Sequence, residues 1–283
     1  MDQALMIQEH SNGGPPGMPS AAGGGAGMPA MAIRHLSKVY SSRGQPTVAL
    51  DDIDFAVEEG EFVSIVGPSG CGKSTLLKIM GGLLDSTQGG VELRGTPVVG
   101  PRRDIGMVFQ SPVLFPWRTV ADNVLLPIDV QRRDRPKYLA TARELLGLVG
   151  LAGFENRYPW ELSGGMQQRV AISRGLIHDP AMLMMDEPFG ALDAMTREHM
   201  NLELQRIWLE RKKTILFITH SIPEAVFLGD RVMVMTPRPG RVQASLVIDL
   251  PRPRSLEVMN TAEFGYYVRH LREYFKATGR IDG

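Results

Sequence analysis

Phe62-Val63-Ser64-Ile65-Val66-Gly67-Pro68-Ser69-Gly70-Cys71-Gly72-Lys73-Ser74-Thr75 decides how this chain is read. A short strand-like run, apolar apart from Ser64, enters a glycine-rich loop directly, and a helical pattern follows from Ser74 to Met80. Residues 67–75 match G-x-x-x-x-G-K-[ST], with the preceding strand and following helix that this motif requires. Glycines let the backbone wrap close to phosphates so that its N–H groups converge on them. The helix starting near Lys73 adds the positive end of its dipole. Lys73 brings a point charge to β- and γ-phosphates, Ser74 a hydroxyl for Mg²⁺, and Thr75 reaches the α-phosphate side. Gly67, Pro68, Ser69, Gly70, Cys71, Gly72, Lys73, Ser74 and Thr75 are thus expected to cradle a nucleoside triphosphate, with Cys71 a loop filler.

The rest of the chain supplies a sheet for this loop. Strand patterns are expected at 32–40, 50–57, 61–66, 91–94, 105–109, 181–185, 214–218, 231–235 and 241–248. Helical patterns fall at 119–126, 136–149, 164–178, 194–211 and 222–228. Alternation of helices with buried apolar strands predicts an α/β fold with a mostly parallel sheet, and the early short strands predict a separate antiparallel patch. Residues 1–30 read as a disordered tail: between Ser11 and Ala30 lie seven Gly, four Pro and no charge. Residues 255–278 read as a further helix, with Pro251 and Pro253 before it as a hinge.

Composition narrows the class. Lys plus Arg and Asp plus Glu both number 31, which excludes a general polycation that binds nucleic acid by phosphate neutralisation. Hydrophobic residues make up 43%, enough for a large core, and the single cysteine fits a reducing compartment. No apolar run approaches the roughly 18 residues that cross a bilayer, and no secretory signal is expected. The zero net charge is a sum of unlike parts. The tail 1–30 holds two acids and no Lys or Arg, whereas residues 231–283 hold nine basic and five acidic side chains.

Two further constellations carry chemistry. Ala181-Met182-Leu183-Met184-Met185-Asp186-Glu187 is an apolar strand ending in two acids. Asp186 can hold Mg²⁺ beside the loop, and Glu187 can polarise an attacking water as general base. Upstream, Leu162-Ser163-Gly164-Gly165-Met166 opens a helix with a natural N-cap and a bare glycine start, a second anion site. Two phosphate sites in one chain suggest that another copy completes the second. Neither the N-K-x-D nor the D-x-x-G string of a GTPase occurs.

With these motifs in order, residues 31 to about 245 resemble the ATPase subunits of ATP-binding cassette (ABC) transporters. The order is a Walker A loop at 67–75, a Q-loop glutamine at Gln110, an LSGG-type signature at 162–166, Walker B at 181–187, a D-loop at Ala191-Leu192-Asp193, and a switch histidine at His220. Met166 departs from the commoner glutamine at the fifth signature position. The resemblance implies a RecA-like parallel core with an antiparallel β subdomain and a helical subdomain at about 111–178. The ATPase domain would span 31–250, and 251–283 would be a helical extension. It implies that Tyr40 stacks on adenine and that Gln110 senses Mg²⁺ and the γ-phosphate. His220 would contact that phosphate and orient Glu187 and the water, and Asp193 would act at a dimer interface. The implied catalytic set is Glu187, His220, Gln110 and Lys73. The implied metal set is Ser74, Gln110 and Asp186, with ATP and Mg²⁺ as cofactors, and Ser163, Gly164 and Gly165 would touch the nucleotide of a second copy.

Phe115-Pro116-Trp117-Arg118-Thr119-Val120-Ala121-Asp122-Asn123-Val124 and Met235-Thr236-Pro237-Arg238-Pro239-Gly240-Arg241-Val242 resemble the nitrate/sulfonate/taurine branch of bacterial importers. That branch implies a homodimer, transmembrane permease subunits, an extracytoplasmic solute-binding protein and a peripheral place on the cytoplasmic face of the inner membrane, without nucleic acid. Phe115 and Trp117 either line the groove for a permease helix or pack inward. The rival classes are an ABC ATPase of DNA repair or translation and an ATP-binding regulator. The former usually carries coiled-coil insertions or tandem cassettes, absent here, and the signature with Glu187 and His220 argues against the latter.

Overall fold

The computed structural model describes residues 28–41, 44–190 and 192–276. The first part runs through β1 (Met31–Tyr40), β2 (Thr47–Val57), β3 (Phe62–Val66), α1 (Lys73–Met80), β4 (Gln88–Leu93), β5 (Thr96–Pro97) and β6 (Ile105–Val108). Four helices follow: α2 (Val120–Val124), α3 (Leu126–Val130), α4 (Arg135–Leu148) and α5 (Gly164–Leu176). Then come β7 (Met182–Asp186), α6 (Ala194–Arg211), β8 (Thr214–Thr219), α7 (Ile222–Leu228), β9 (Arg231–Met235), β10 (Val242–Val247) and α8 (Ala262–Lys276).

Two sheets result. An antiparallel sheet has the order β2-β1-β4-β5, and a six-stranded sheet has the order β10-β9-β3-β8-β7-β6. In the larger sheet β9, β3, β8, β7 and β6 are parallel, and β10 closes one edge antiparallel. Every residue of β3 and β8 is buried, as befits strands covered on both faces. Period two then sorts β3 between two cores. Phe62 and Val66 join the core shared with α2 and α4–α8, while Val63 and Ile65 join the core shared with α1 and the antiparallel sheet.

This topology places the chemistry. The parallel strands β3, β7 and β8 end at the same edge of the sheet, where ligands bind in open α/β folds. Val66 pairs with Thr219 and Asp186 with Ile218, so Gly67, Glu187 and His220 leave adjacent strands side by side.

The expected helices 194–211 and 222–228 match α6 and α7 residue for residue. The expected helix 119–126 is instead two: α2 stops at Val124 and α3 restarts at Leu126, because Pro127 has no N–H to continue the ladder. The expected helix 255–278 also divides, into a 3₁₀ turn at Leu256–Asn260 and α8. Thr261 breaks it with extended backbone (ψ 156°), and its Oγ1 accepts the Phe264 N–H at 3.2 Å. Pro251 and Pro253 are not a hinge, because Arg252 and Arg254 are bonded into the body of the fold. The tail expected at 1–30 lies almost wholly outside the described residues. Ala30 itself is buried and its carbonyl accepts the Arg94 N–H at 2.9 Å. No described helix is long and apolar enough to cross a membrane.

Candidate active site

The loop after β3 is shaped by its glycines. Gly72 sits at φ +107°, and a Cβ there would come within 2.7 Å of Leu50 Cδ2 and 3.0 Å of the Ala49 carbonyl. Lys73, only 5% exposed, begins α1, and its Nζ donates to the carbonyls of Gly67 at 2.8 Å and Pro68 at 3.2 Å. The same ammonium is 3.7 Å from Glu187 Oε1. Ser74 Oγ donates to Asp186 Oδ1 at 3.1 Å. Burial pushes the Asp186 carboxyl above the usual aspartate range, against the opposing pull of the Ser74 hydroxyl. A hydroxyl and a carboxylate oxygen held together at a phosphate loop form a hard donor set that fits Mg²⁺. Burial also raises the Cys71 thiol, which keeps it an inert filler.

Glu187 follows β7 with φ +43°, a left-handed conformation that costs a non-glycine residue energy. Its N–H is tied to the Ile218 carbonyl at 2.9 Å, which holds that conformation. The carboxylate is thereby turned so that Oε2 lies 3.1 Å from His220 Nδ1. Gln110 reaches the same place from β6. A Cβ built on Gly190 would stand 3.6 Å from Gln110 Nε2 and 3.7 Å from His220 Cε1. Tyr40, half-exposed at the end of β1, touches Thr75 Oγ1 with its hydroxyl at 3.4 Å.

The second glycine cluster is built differently. Ser163 caps α5, its Oγ accepting the Met166 N–H at 3.3 Å. A Cβ on Gly164 would meet nothing within 4 Å, whereas one on Gly165 would press on Thr196 Cγ2 at 3.0 Å. Among the described residues, no hydrogen bond or ion pair joins Ser163, Gly164 or Gly165 to residues 67–75. Asp193 caps α6, with Thr196 donating its N–H at 3.0 Å and its hydroxyl at 2.7 Å, and these bonds lower its carboxyl pKa. Ala191 lies outside the described residues. Lys73, Ser74, Gln110, Asp186, Glu187 and His220 therefore converge with Tyr40 and Thr75 nearby, and Ser163, Gly164, Gly165 and Asp193 do not join them.

Comparison with known proteins gives the family. The ABC transporter family model matches residues 50–190. The chain is 48% identical to the taurine import ATP-binding protein of Pelagibacter ubique over 210 residues, 74% of this chain and 79% of that protein. It is 41% identical to the aliphatic sulfonates import ATP-binding protein of Bacillus cereus over 252 residues, 89% of this chain and 98% of that one. The chain belongs to the ABC transporter family. A dimeric cassette solved in a post-hydrolysis state with ADP and Pi superimposes with a TM-score of 0.68 at 34% identity, covering 78% of this chain and all (100%) of that one. The protein is accordingly an ATP-hydrolysing ABC cassette.

Some parts of this ABC site escape a motif search. Glu224, 6% exposed in the first turn of α7, accepts the Thr219 hydroxyl and pairs with Arg197 Nε at 3.4 Å. Burial raises its carboxyl pKa. Arg197 also donates to the Leu192 carbonyl at 2.9 Å, so the D-loop is wired to the strand end beside His220. A signal was present in the sequence: Ser221-x-x-Glu224 has the spacing of a capping box. Lys38 Nζ, 5.4 Å from the Tyr40 ring centroid, is a second such residue.

The signature helix is joined to the Q-loop. Gln168 Nε2 donates to the Phe109 carbonyl at 3.2 Å, and Arg174 donates to the carbonyls of Pro112 and Val113, both at 2.7 Å. Asn123, fully buried, accepts the Phe115 N–H at 2.7 Å and donates to the carbonyls of Phe115, Arg118 and Thr119. The loop so held walls an apolar cleft of about 380 Å³ whose lining includes Phe109, Phe115, Leu126, Val130 and Arg174. Phe115 lines this cleft; Trp117 does not, but is 71% exposed with its ring centroid 5.1 Å from that of Phe115.

Proposed function

We propose that this chain is the ATP-hydrolysing subunit of an importer. It would lie peripherally on the cytoplasmic face of the membrane and drive uptake of a small solute such as a sulfonate, taurine or nitrate. The observation that carries the chemistry is the contact chain Ser74–Asp186, Lys73–Glu187 and Glu187–His220, at 3.1, 3.7 and 3.1 Å. Gly67 to Thr75 cradle the phosphates, with Lys73 on the β- and γ-phosphates and Tyr40 against adenine. Ser74, Asp186 and Gln110 would hold Mg²⁺, which when bound neutralises the phosphate oxygens. Glu187 takes the proton from the attacking water, and His220 orients Glu187 and contacts the γ-phosphate. Ser163, Gly164 and Gly165 complete the ATP site of a second copy, with Asp193 at the interface between them.

Residues 31–250 form the catalytic unit, 111–178 its helical part, and 251–283 an extension. The cleft holding Phe115 supports docking of a helix from the permease, since apolar grooves fixed on rigid loops accept amphipathic helices. The solute itself meets the permease and an extracytoplasmic binding protein. The test is co-purification and reconstitution with the permease. Isolation with a multi-span membrane protein, and ATPase activity stimulated by a sulfonate or taurine through the binding protein, is expected. ATPase activity stimulated by nucleic acid, with no membrane partner, would overturn the reading.

A further inference from the structure

The segment Pro251-Arg252-Pro253-Arg254 takes no part in the ATP site, yet it grips one element that does. Arg254 is 2% exposed. Its Nη1 donates to the carbonyls of Val226 and Phe227, each at 2.9 Å, and of Gly229 at 2.8 Å. Its Nη2 donates to those of Ile248 at 3.2 Å and Leu250 at 3.3 Å. Arg252 Nη2 takes the remaining Leu228 carbonyl and pairs with Asp230 Oδ1 at 2.7 Å, while its guanidinium lies 4.3 Å from the Trp208 ring centroid. Gln205 of α6 fixes the segment in turn, accepting the Arg254 N–H at 2.8 Å and donating to the Arg254 carbonyl at 2.7 Å.

The four carbonyls from Val226 to Gly229 thus all receive arginine donors. They include the last turn of α7, where helical carbonyls have no partner within the helix and where positive charge suits the dipole. Val226, Phe227 and Leu228 are fully buried, so water cannot replace these donors. Burying two guanidiniums is unfavourable; it holds the Arg254 pKa down at about 10, with the Arg252 charge adding to the effect. Apolar contact alone would tether an extension without that penalty.

What α7 carries gives the grip its meaning. The helix has seven residues, too few to persist without tertiary support. Its N-cap, Ser221, directly follows His220. The His220 side chain is 51% exposed and its described polar contact is with Glu187, so the backbone must set its position. The N-terminal end is pinned by Glu224 to Thr219 and Arg197, and the C-terminal end, about 10 Å away, by the two arginines.

We propose that Arg252 and Arg254 are positioning residues for ATP hydrolysis: by clamping the end of α7 they fix the backbone that presents His220 to Glu187 and the γ-phosphate. This rests on the role given to His220 above. The test is steady-state ATPase of the full-length chain carrying Arg252→Ala, Arg254→Ala, Arg254→Lys, His220→Ala and the pair Arg254→Lys with His220→Ala. Arg254→Ala is expected to lower kcat about tenfold with KM for ATP within about twofold, a loss confined to the transition state. Lys, which keeps the charge but fewer donors, should recover part of it. In the His220→Ala background, Arg254→Lys should lower kcat no further, because coupled residues are non-additive. Wild-type kcat in His220→Ala would overturn the reading of His220 and the clamp with it. A slow His220→Ala beside unchanged kcat in Arg252→Ala and Arg254→Lys would overturn the clamp alone, as would additive losses in the pair. Should Arg254→Ala yield no folded protein, Arg252→Ala and Arg254→Lys decide.

Discussion

The two glycine-rich sites proposed to bind phosphate are opposites in construction. At the Walker A loop the working side chains already touch: Lys73 on Gly67 and Pro68, Ser74 on Asp186, Glu187 on His220. At the signature, Ser163 serves its own helix through the Met166 N–H, and Gly164 faces open space. The first site is assembled by strand ends of one sheet, whose register leaves little freedom. The second is a helix end whose cap, Ser163, is occupied by the Met166 N–H and whose Gly165 abuts Thr196. In the function proposed above, the first site of a second copy supplies the catalytic groups for a phosphate docked at this helix end.

The largest test of this contrast is Glu187→Gln. It should lower kcat by at least about 10²-fold, the range of a lost general base, while ATP still drives a stable dimer on gel filtration. A monomer under those conditions would break the pairing of unlike halves. Next, Ser163→Asp keeps a helix-capping oxygen but sets a negative charge where the second copy's phosphate would dock. It should cut turnover by about 10²-fold and abolish the ATP-locked dimer in the Glu187→Gln background. ATP affinity of the single chain, read by fluorescent nucleotide titration, should stay within about twofold. Equal loss of ATP affinity would mean that the two sites are not separate.

Lys73→Ala acts on the assembled half alone. Loss of a charge-assisted contact to phosphate should raise the Kd for ATP roughly 10- to 100-fold by the same titration. The smallest effect concerns pH. Asp186 has its pKa raised on folding by burial, so the folded chain holds a proton there that the unfolded chain has released. That increment of stability is complete below the ordinary aspartate range, about 3.9, and disappears as pH rises through the raised value. Mg²⁺ affinity runs the other way, rising as the proton leaves. Thermal melts of the metal-free protein and of Asp186→Asn across pH 3–7 should diverge in that sense, and parallel curves would mean that burial does not raise the Asp186 carboxyl.

What the sequence disclosed follows from the range of the forces involved. The Walker A loop, both acids and the signature are local: a few consecutive residues with fixed backbone demands. The approach of Gln110 and His220 to one point, and of Tyr40 to Thr75, was legible only through resemblance, because three separate strands bring them there. Arg254 was invisible for a related reason. Directly after Pro251-Arg252-Pro253 it looked like linker, and its five carbonyl partners lie between 4 and 28 positions away along the chain. The division of the 119–126 helix at Pro127 was readable from the missing N–H. The break at Thr261 was less so, since Leu256, Met259, Tyr267 and Leu271 kept helical spacing across it.

The bonds that tie α5 to the Q-loop have a mechanical meaning. The helix spans thirteen residues, about 20 Å, with Ser163 at one end and Arg174 in the last turn at the other. Arg174 grips the carbonyls of Pro112 and Val113, and Gln168 grips Phe109 at mid-length. Such a helix behaves as a push-rod. In the proposed dimer, a displacement imposed on Ser163 by a neighbour's nucleotide would be carried along the helix to the cleft behind Phe115. Force and chemistry would then travel by different routes, the first along one helix and the second across three strand ends.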